Sequence, residues 1–381
     1  MKLGSFGDLS MKKVLVVVGT RPEVIKMAPV IKELGKYSNK ICSVVCVTAQ
    51  HRQMMDQVLN FFKITPNFDL DLMQEDQPLS HLTARLLTSL EPIFNKVKPD
   101  WVLVQGDTTT TMVASLAAFY QKINVGHIEA GLRTNNKFAP FPEEINRRLT
   151  SVVADFHFAP TERARQALLS EGVHEKKIWV TGNTVIDALL WAKEEVRKCP
   201  LFIPSDLKKA IVGKKLVLVT GHRRESFGKG FEQICLAIQD LVTIFPGICV
   251  IYPVHLNPNV KEPVYRILRN VDRVHLIEPL PYASFVWLME QSYLILTDSG
   301  GIQEEAPSLG KPVLVMREVT ERPEGIEAGC TQLVGVERDQ IVQGVSNLMS
   351  NGNLYGKMSQ AKNPYGDGKA ADRIVSVVLG N

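Results

Sequence analysis

Leu294-Ile-Leu-Thr-Asp-Ser-Gly-Gly-Ile-Gln-Glu-Glu-Ala-Pro-Ser-Leu-Gly310 is the stretch whose reading decides the fold. The apolar run from Tyr293 to Thr297 reads as a strand. It passes through Asp298-Ser299-Gly300-Gly301 into a helical pattern with Glu304 and Glu305 in its first turn. Two glycines let backbone come close to a ligand, and the N–H groups that open a helix attract an anion. A carboxylate one turn further on can accept from ribose hydroxyls, the logic of nucleotide-binding α/β proteins. An ordinary strand-to-helix turn capped by Ser299 would look the same locally. The spacing fits neither the GxGxxG fingerprint nor the P-loop, which disfavours NAD and P-loop readings.

Outward from this stretch, short apolar runs alternate with helical patterns along nearly the whole chain. Strands are expected at Val14–Val18, Ser43–Val47, Trp101–Gln105, Val125–Ile128, Phe156–Ala159 and Ile178–Thr181, then at Leu216–Thr220, Cys249–Pro253, Val274–Ile277, Tyr293–Thr297 and Pro312–Met316. They are β-branched and almost wholly apolar, as parallel strands buried on both faces must be. Helical patterns such as Glu23–Leu34, Ser80–Asn95, Thr109–Gln121 and Gly230–Ile244 separate them. The alternation predicts an α/β, doubly wound architecture.

Trp191 to Lys215 breaks the rhythm, and Cys199-Pro-Leu-Phe-Ile-Pro204 suits an inter-domain linker. Val18-Gly-Thr-Arg-Pro-Glu23 and Thr220-Gly-His-Arg-Arg-Glu225 each set Gly, Arg and Glu where the first strand of a series meets its helix. That repetition points to two similar domains. The expected division is an extension over 1–10, a first domain over 11–195, a second over 196–362 and a final segment over 363–381 whose helix crosses back to the first domain. Ligands of such sheets bind beyond the carboxyl ends of the strands, so both loops should face a cleft.

At 381 residues, two cores are the natural prior. Hydrophobic content of 45% and charged content of 22% describe a globular protein. The net charge of +4 comes from well-mixed signs, so no nucleic-acid surface is expected. No apolar run approaches a membrane span, and residues 1–10 lack the apolar core of a signal peptide, which points to the cytoplasm. The 6 cysteines form no CxxC pair and the 8 histidines no HExxH, so no metal site is expected.

Several loop residues could carry chemistry. Arg21 and Lys26 sit at a helix start and one turn along it, where both could bind phosphate, although Lys26 could equally belong to a solvated face. His222, beside Arg223 and Arg224, could neutralise a departing diphosphate or be an unremarkable loop histidine. Asp107 in Gln105-Gly-Asp-Thr-Thr109 could be a helix cap and nothing more. Glu129 follows another strand, and Glu143 and Glu144 open a helix where the dipole alone could favour acids. Three carboxylates at successive strand ends opposite a cationic anion site look more like an acid/base set than chance, because shared burial separates their pKa values. No GxSxG motif is present, which disfavours acyl transfer through a serine nucleophile.

These residues together closely resemble the non-hydrolysing bacterial UDP-N-acetylglucosamine 2-epimerases from about Met11 onward. Gly19-Thr-Arg-Pro-Glu-Val-Ile-Lys-Met-Ala-Pro29, Gln105-Gly-Asp-Thr-Thr-Thr-Thr111, His127-Ile-Glu-Ala-Gly-Leu-Arg-Thr134 and Pro142-Glu-Glu-Ile-Asn-Arg147 look like N-domain signatures. Thr220-Gly-His-Arg-Arg-Glu-Ser226, Asp298-Ser-Gly-Gly-Ile-Gln-Glu-Glu-Ala-Pro307 and Thr320-Glu-Arg-Pro-Glu-Gly325 look like C-domain ones. The resemblance implies a GT-B-like fold of two Rossmann-type domains around a cleft, and usually a homodimer. It assigns Arg21, Lys26 and His222 to the diphosphate and catalysis, and Asp107, Glu129 and Glu143 to acid/base work near the sugar. Ser299, Gly300 and Gly301 would hold phosphate, Glu305 the ribose, Arg322 a further nucleotide contact, and Phe285 the uracil pocket. Gln50, His51 and Gln53 match a region where some members bind a second, activating UDP-GlcNAc. Those members also use an arginine in the segment that reads Met73-Gln-Glu-Asp-Gln-Pro78 here and contains none.

The implied ligands are UDP-GlcNAc and UDP, without a cofactor, and the implied reaction is reversible epimerisation at C2 to UDP-ManNAc, supplying cell-surface polysaccharide. The C2 proton is not next to a carbonyl, so direct abstraction at neutral pH is implausible. If UDP leaves first, charge builds at C1 and a carboxylate can take the C2 proton, giving 2-acetamidoglucal. Protonation from the other face and return of UDP complete the cycle. A GT-B glycosyltransferase with the same donor site is the alternative, followed by a hydrolase and a non-enzymatic UDP-sugar sensor.

Overall fold

The computed structural model describes residues 11–48, 52–72, 77–199 and 205–380, with residues 52–54 as backbone alone. The chain divides into two compact units, Met1–Ala188 with Gly368–Asn381, and Leu189–Asp367. The first holds seven parallel strands, β1 (Lys12–Val18), β2 (Ile41–Val47), β3 (Phe68–Asp69), β4 (Trp101–Gln105), β5 (Asn124–Ile128), β6 (Phe156–Ala159) and β7 (Ile178–Val180). The second holds six, β8 (Lys215–Thr220), β9 (Ile248–Pro253), β10 (Val274–Ile277), β11 (Ser292–Thr297), β12 (Val313–Val315) and β13 (Thr331–Leu333), again all parallel.

The sheet orders are β3-β2-β1-β4-β5-β6-β7 and β10-β9-β8-β11-β12-β13. Each runs outward one way from its first strand and then the other way from its fourth, so direction reverses beside β1 and beside β8, the place where doubly wound sheets take ligands. The α/β expectation holds. β3 and β13 are absent from the sequence reading because β3 has only two residues and β13, Thr331-Gln-Leu333, is not an apolar run like the equally short β7 and β12.

Central strands are buried on both faces, which is why they read as unbroken apolar runs. Val14 to Val18 and Val217 to Val219 are all fully buried. In the second unit, helix Lys229–Ile244 lays Phe231, Ile234, Ile238 and Leu241 against them, the i, i+3, i+7, i+10 stripe of an amphipathic helix. Each such side chain contributes about 1.5–3 kcal/mol by leaving water. In the first unit, helices Leu79–Val97 and Thr109–Tyr120 supply Leu90, Phe94, Ala114 and Ala118 to the core over β1 and β4.

Helix Ala370–Gly380 belongs to the first unit. It buries Ile374, Val375 and Val378, its opening N–H groups at Ala370 and Ala371 donate to Asp187, and Lys12 Nζ donates to the Val378 carbonyl at 2.9 Å. Cys199 lies just past helix Thr184–Lys198, and residues 200–204 of the expected linker lie outside the described residues. Among the described residues no helix is long and apolar enough to cross a membrane.

Helix Glu143–Val153 is inverted. It buries Glu144, Asn146, Arg147, Thr150 and Ser151, and it exposes Ile145, Leu149 and Val152, the last 82% accessible. Spacings of four and three residues put those three on one face.

Candidate active site

The first unit's predicted residues lie at the carboxyl ends of neighbouring strands. Arg21 opens the helix after β1, Asp107 lies two residues beyond β4, and Glu129 follows β5 directly. Lys26, one turn along helix Arg21–Lys36, is ion-paired to Glu129, and Asn183 Nδ2 donates to the same Glu129 oxygen at 3.0 Å. The pairing keeps Lys26 off a solvated face and fixes the acid's orientation. Glu129 has φ +63°, a left-handed conformation that costs a non-glycine residue of order 1–3 kcal/mol and survives only where its surroundings dictate it. Those surroundings include Gly131 (φ +92°), where a Cβ would lie 2.2 Å from the Ala164 carbonyl oxygen.

The capping role proposed for Asp107 falls to Thr108. Its Oγ1 accepts from Thr111 N at 3.1 Å and starts helix Thr109–Tyr120. The Asp107 carboxylate is therefore available for something else. Arg147 grips it at 2.6 Å from Nη2 and 2.9 Å from Nε, Asn146 Nδ2 donates to its carbonyl at 2.9 Å, and the preceding Gly106 carbonyl accepts from His127 Nε2 at 2.7 Å. Burial pushes the His127 ring down to about 4, so it is neutral near pH 7, and the carbonyl it faces requires the proton on Nε2. His127 sits in register with His157 on β6, whose ring burial pushes down to about 3.

The two acids that open helix Glu143–Val153 do different work. Glu144 is fully buried and accepts from the backbone of Thr134 (2.9 Å) and Asn135 (3.1 Å), with Arg147 and Arg148 beside it. Burial pushes its carboxyl up, but those N–H groups and arginines outweigh it and hold it below its ordinary value. Glu143, by contrast, carries a buried Oε2 with no hydrogen-bond partner among the described residues. The dipole reading does not distinguish the pair. Their partners do.

In the second unit, the first and fourth strands bring two predicted loops together. β8 and β11 pair up to Thr220↔Thr297, whose hydroxyls lie 2.7 Å apart. Just beyond, the fully buried Asp298 accepts from His222 N (2.7 Å) and Arg223 N (2.8 Å) through Oδ2, and its Oδ1 lies 3.1 Å from His222 Nδ1. Burial pushes the Asp298 carboxyl up, but the His222 ring and the two N–H groups more than offset this and hold it below its ordinary value. The partly exposed His222 ring stacks on His255, with centroids 5.6 Å apart.

Ser299, Gly300 and Gly301 form the turn into helix Gly300–Glu305. A Cβ on Gly300 would lie 3.7 Å from the Arg322 guanidinium and 3.9 Å from Arg223 Nη2, so two cations converge over the backbone of this turn. Arg322 is ion-paired to the buried Glu304, and the Arg223 Nε is buried without a partner among the described residues. Such a cluster suits a diphosphate. Glu305 accepts from Tyr282 Oη at 2.9 Å, and the half-buried Phe285 lies one turn along the same helix, Tyr282–Gln291. Gln50 and His51 lie outside the described residues, and Gln53 is described only as backbone in helix Arg52–Phe61.

Sequence reasoning placed Arg223 in the cationic cluster beside His222 but overlooked Asp298 as the anchor of His222, and Asn183, His127 and Arg147 as supports. Asp298 had a signal, an acid ending a buried strand beside a loop rich in N–H donors. Asn183 had none.

The family profile described as UDP-N-acetylglucosamine 2-epimerase matches residues 32–379. The chain is 56% identical over 375 residues to the UDP-N-acetylglucosamine 2-epimerase of Escherichia coli K12, covering 97% of this chain and 99% of that one. It is 50% identical over 374 residues to the Campylobacter jejuni protein of the same name, covering 97% of each. Its fold matches the crystal structure of the Neisseria meningitidis UDP-GlcNAc 2-epimerase bound to UDP-GlcNAc with a TM-score of 0.88 at 52% identity, covering 97% of this chain and all of that one. The Methanocaldococcus jannaschii enzyme in complex with UDP-GlcNAc and UDP matches with a TM-score of 0.81 at 34% identity, over 97% and 100% of the two chains. The architecture is thus α/β of the GT-B-like kind. With near full-length identity of this order and both motif-bearing loops formed in each sheet, the chain belongs to the UDP-N-acetylglucosamine 2-epimerase family.

Proposed function

We propose that this chain is an isomerase that reversibly converts UDP-GlcNAc to UDP-ManNAc, by elimination of UDP to 2-acetamidoglucal and re-addition after protonation at C2 from the other face. The observation that carries this reading is the near full-length match to a family of that activity. The site chemistry supports it. The cations at Arg223 and Arg322 suit the diphosphate that departs and returns, and Asp298 Oδ1, 3.1 Å from His222 Nδ1, fixes the orientation of that ring beside them. Tyr282 orients Glu305 for the ribose, with Phe285 against the base, and Ser299, Gly300 and Gly301 supply the phosphate-facing turn.

In the first unit, Glu129, Asp107 and Glu143 carry the proton chemistry. Lys26 and Arg147 pair with Glu129 and Asp107 and fix where those two carboxylates point. Glu143, with a buried oxygen left unpartnered among the described residues, is the one of the three with an oxygen open to a substrate group. Arg21 completes the cationic set. No redox cofactor is needed, because C2 loses one proton and gains another from the opposite face with no net change of oxidation state.

A GT-B glycosyltransferase remains the disfavoured alternative, and the test separates the two. Purified protein is incubated with UDP-GlcNAc in heavy water, without any acceptor, and followed by proton NMR. The reading requires UDP-ManNAc and loss of the C2 proton signal in both sugars. Product that retains C2 protium, or turnover only after an acceptor is added, sinks it.

The homodimer belongs to the same proposal. The exposed stripe of Ile145, Leu149 and Val152 supports it, since apolar residues aligned on an otherwise polar helix lose free energy in water and gain it against a copy of themselves. Light scattering should give twice the chain mass, and Leu149→Lys with Val152→Glu should halve it. Production of ManNAc units for a cell-surface polysaccharide is the role that fits this chemistry.

A further inference from the structure

Glu23 is a buried carboxylate that the mechanism above does not use. It is 2% exposed, and among the described residues none of the groups that hydrogen-bond it is charged. Part of its role is local. Thr20 caps helix Arg21–Lys36, its Oγ1 accepting from Glu23 N at 3.4 Å, and Glu23 stands three residues after the cap, the spacing of a capping box. Its Oε2 accepts from Gly19 N at 3.2 Å, which fits that role. Its Oε1 does not. That oxygen accepts from Thr108 Oγ1 at 2.8 Å and lies 3.1 Å from Thr111 Oγ1, whose one proton is shared with the Gln105 carbonyl at 2.6 Å; the two threonines are 85 and 88 positions away, on the cap and first turn of helix Thr109–Tyr120.

The two turns that Glu23 joins also touch directly. A Cβ on Gly19 would lie 2.2 Å from Thr110 Oγ1 and 2.9 Å from Thr48 Oγ1, so only glycine lets the β1 turn seat against the β4 turn. Thr48 and Thr110 share a hydrogen bond of 3.1 Å. Arg21 lies two residues before Glu23, and Asp107 immediately precedes Thr108. Asp107 is already fixed at its carbonyl by Asn146, at its carboxylate by Arg147 and, through Gly106, by His127. Glu23 holds the next residue along.

A carboxylate kept in a dry interior by neutral donors is costly, since burial pushes its carboxyl above the ordinary value and the donors only partly offset this. A helix cap alone would be met as well by an exposed side chain, so this burial calls for a second use.

We propose that Glu23 is a positioning residue for the reaction, whose buried carboxylate fastens the turn bearing Arg21 to the turn bearing Asp107 and so sets their spacing. The proposal rests on the epimerase reading for its kinetic consequences, but the fastening can be measured without it.

The experiment compares wild type with Glu23→Ala, Glu23→Gln, Thr108→Val/Thr111→Val and the triple variant combining Glu23→Ala with the two valines. Turnover of UDP-GlcNAc, thermal midpoint and amide hydrogen exchange are measured for each. A Gln carboxamide can still accept from the threonines but opposes Gly19 N–H, so it should restore part of what Ala removes. Glu23→Ala should lower kcat about 30-fold or more while KM stays within about threefold, the signature of a group that acts only on the way to the transition state. The threonine pair, which also loses the cap on helix Thr109–Tyr120, should lose at least that factor, and the triple variant should lose no more than the threonine pair, because Glu23 and the two hydroxyls form one link. Exchange should quicken in both turns.

If Glu23→Ala keeps kcat within about threefold, or if kcat and KM worsen in proportion to a fallen thermal midpoint, Glu23 is a helix cap and the proposal is overturned. Wild type that does not act on UDP-GlcNAc refutes the epimerase reading instead. Exchange then decides about Glu23: faster exchange in both turns supports the fastening, and faster exchange confined to residues 19–24 overturns it.

Discussion

Replacing Asp298 with Asn tests the second unit's site at its most buried point. The wild-type carboxylate accepts from His222 N and Arg223 N at 2.7 and 2.8 Å and lies 3.1 Å from His222 Nδ1. Hydrogen bonds to a charged group contribute about 1.5–3 kcal/mol each, and neutral ones about 0.5–1.5. Asn keeps one oxygen for the backbone donors but no charge, so the two bonds together weaken by about 2–3 kcal/mol. Its amide N–H must then face His222 Nδ1, which makes that nitrogen an acceptor, forces the ring proton onto Nε2 and removes the carboxylate that orients the ring. Loss of an orienting carboxylate in a serine-protease triad lowers kcat about 10⁴-fold. With Arg223 and Arg322 still in place, the expected loss here is about 10²–10³-fold.

The pH dependence follows from the depressed carboxyl of Asp298. Its folded-state pKa lies below the unfolded value of about 3.9, so its ionised form stabilises the fold above that pH, and the contribution is lost as pH falls through the folded value. The Asn variant lacks this contribution. The gap in thermal midpoint between wild type and variant should therefore be full at pH 7 and shrink below about pH 4. Thermal unfolding at the two pH values and NMR turnover at neutral pH measure both effects. A variant that keeps kcat within about threefold while its midpoint falls, or a gap that ignores pH, refutes the reasoning.

Other outcomes test the remaining parts. Asp107→Asn and Glu129→Gln should each lower kcat by about 10²-fold or more while UDP affinity by calorimetry changes less than about twofold. Glu144→Gln should lower stability by about 3 kcal/mol, since it leaves Arg147 and two N–H groups poorly paired, whereas Glu143→Gln should leave the thermal midpoint nearly unchanged and lower kcat. Gly131→Ala should cost about 2 kcal/mol or more of stability in denaturant titrations, because both the left-handed backbone and the Ala164 carbonyl oppose a methyl group there. Arg223→Ala should raise the Kd for UDP about tenfold through loss of one phosphate-facing cation.

The α/β alternation is legible because parallel strands covered on both faces must be apolar throughout, so Val14–Val18 and Leu216–Thr220 stand out from the amino-acid order alone. Residues at strand ends are legible too, since Asp107, Glu129 and His222 each interrupt an apolar run just where a sheet opens to ligand. What stays hidden is pairing. Nothing in sequence says that Asn183, after β7, reaches Glu129 after β5, or that Lys26 points at that same acid. Thr108 and Asp107 both qualify as caps, and only backbone geometry chooses between them. Glu143 and Glu144 are chemically alike and adjacent, but a helical rotation of about 100° sends one to the buried N–H groups of Thr134 and Asn135 and leaves the other with a spare oxygen.

Helix Ala370–Gly380 completes a unit whose sheet strands are all made before residue 181. During translation the opening domain therefore waits, with Asp187 lacking its N–H partners and the surface meant for Ile374 and Val378 still wet, while an entire second domain leaves the ribosome and folds. A stop codon anywhere from 370 to 378 would thus damage the half of the protein synthesised first.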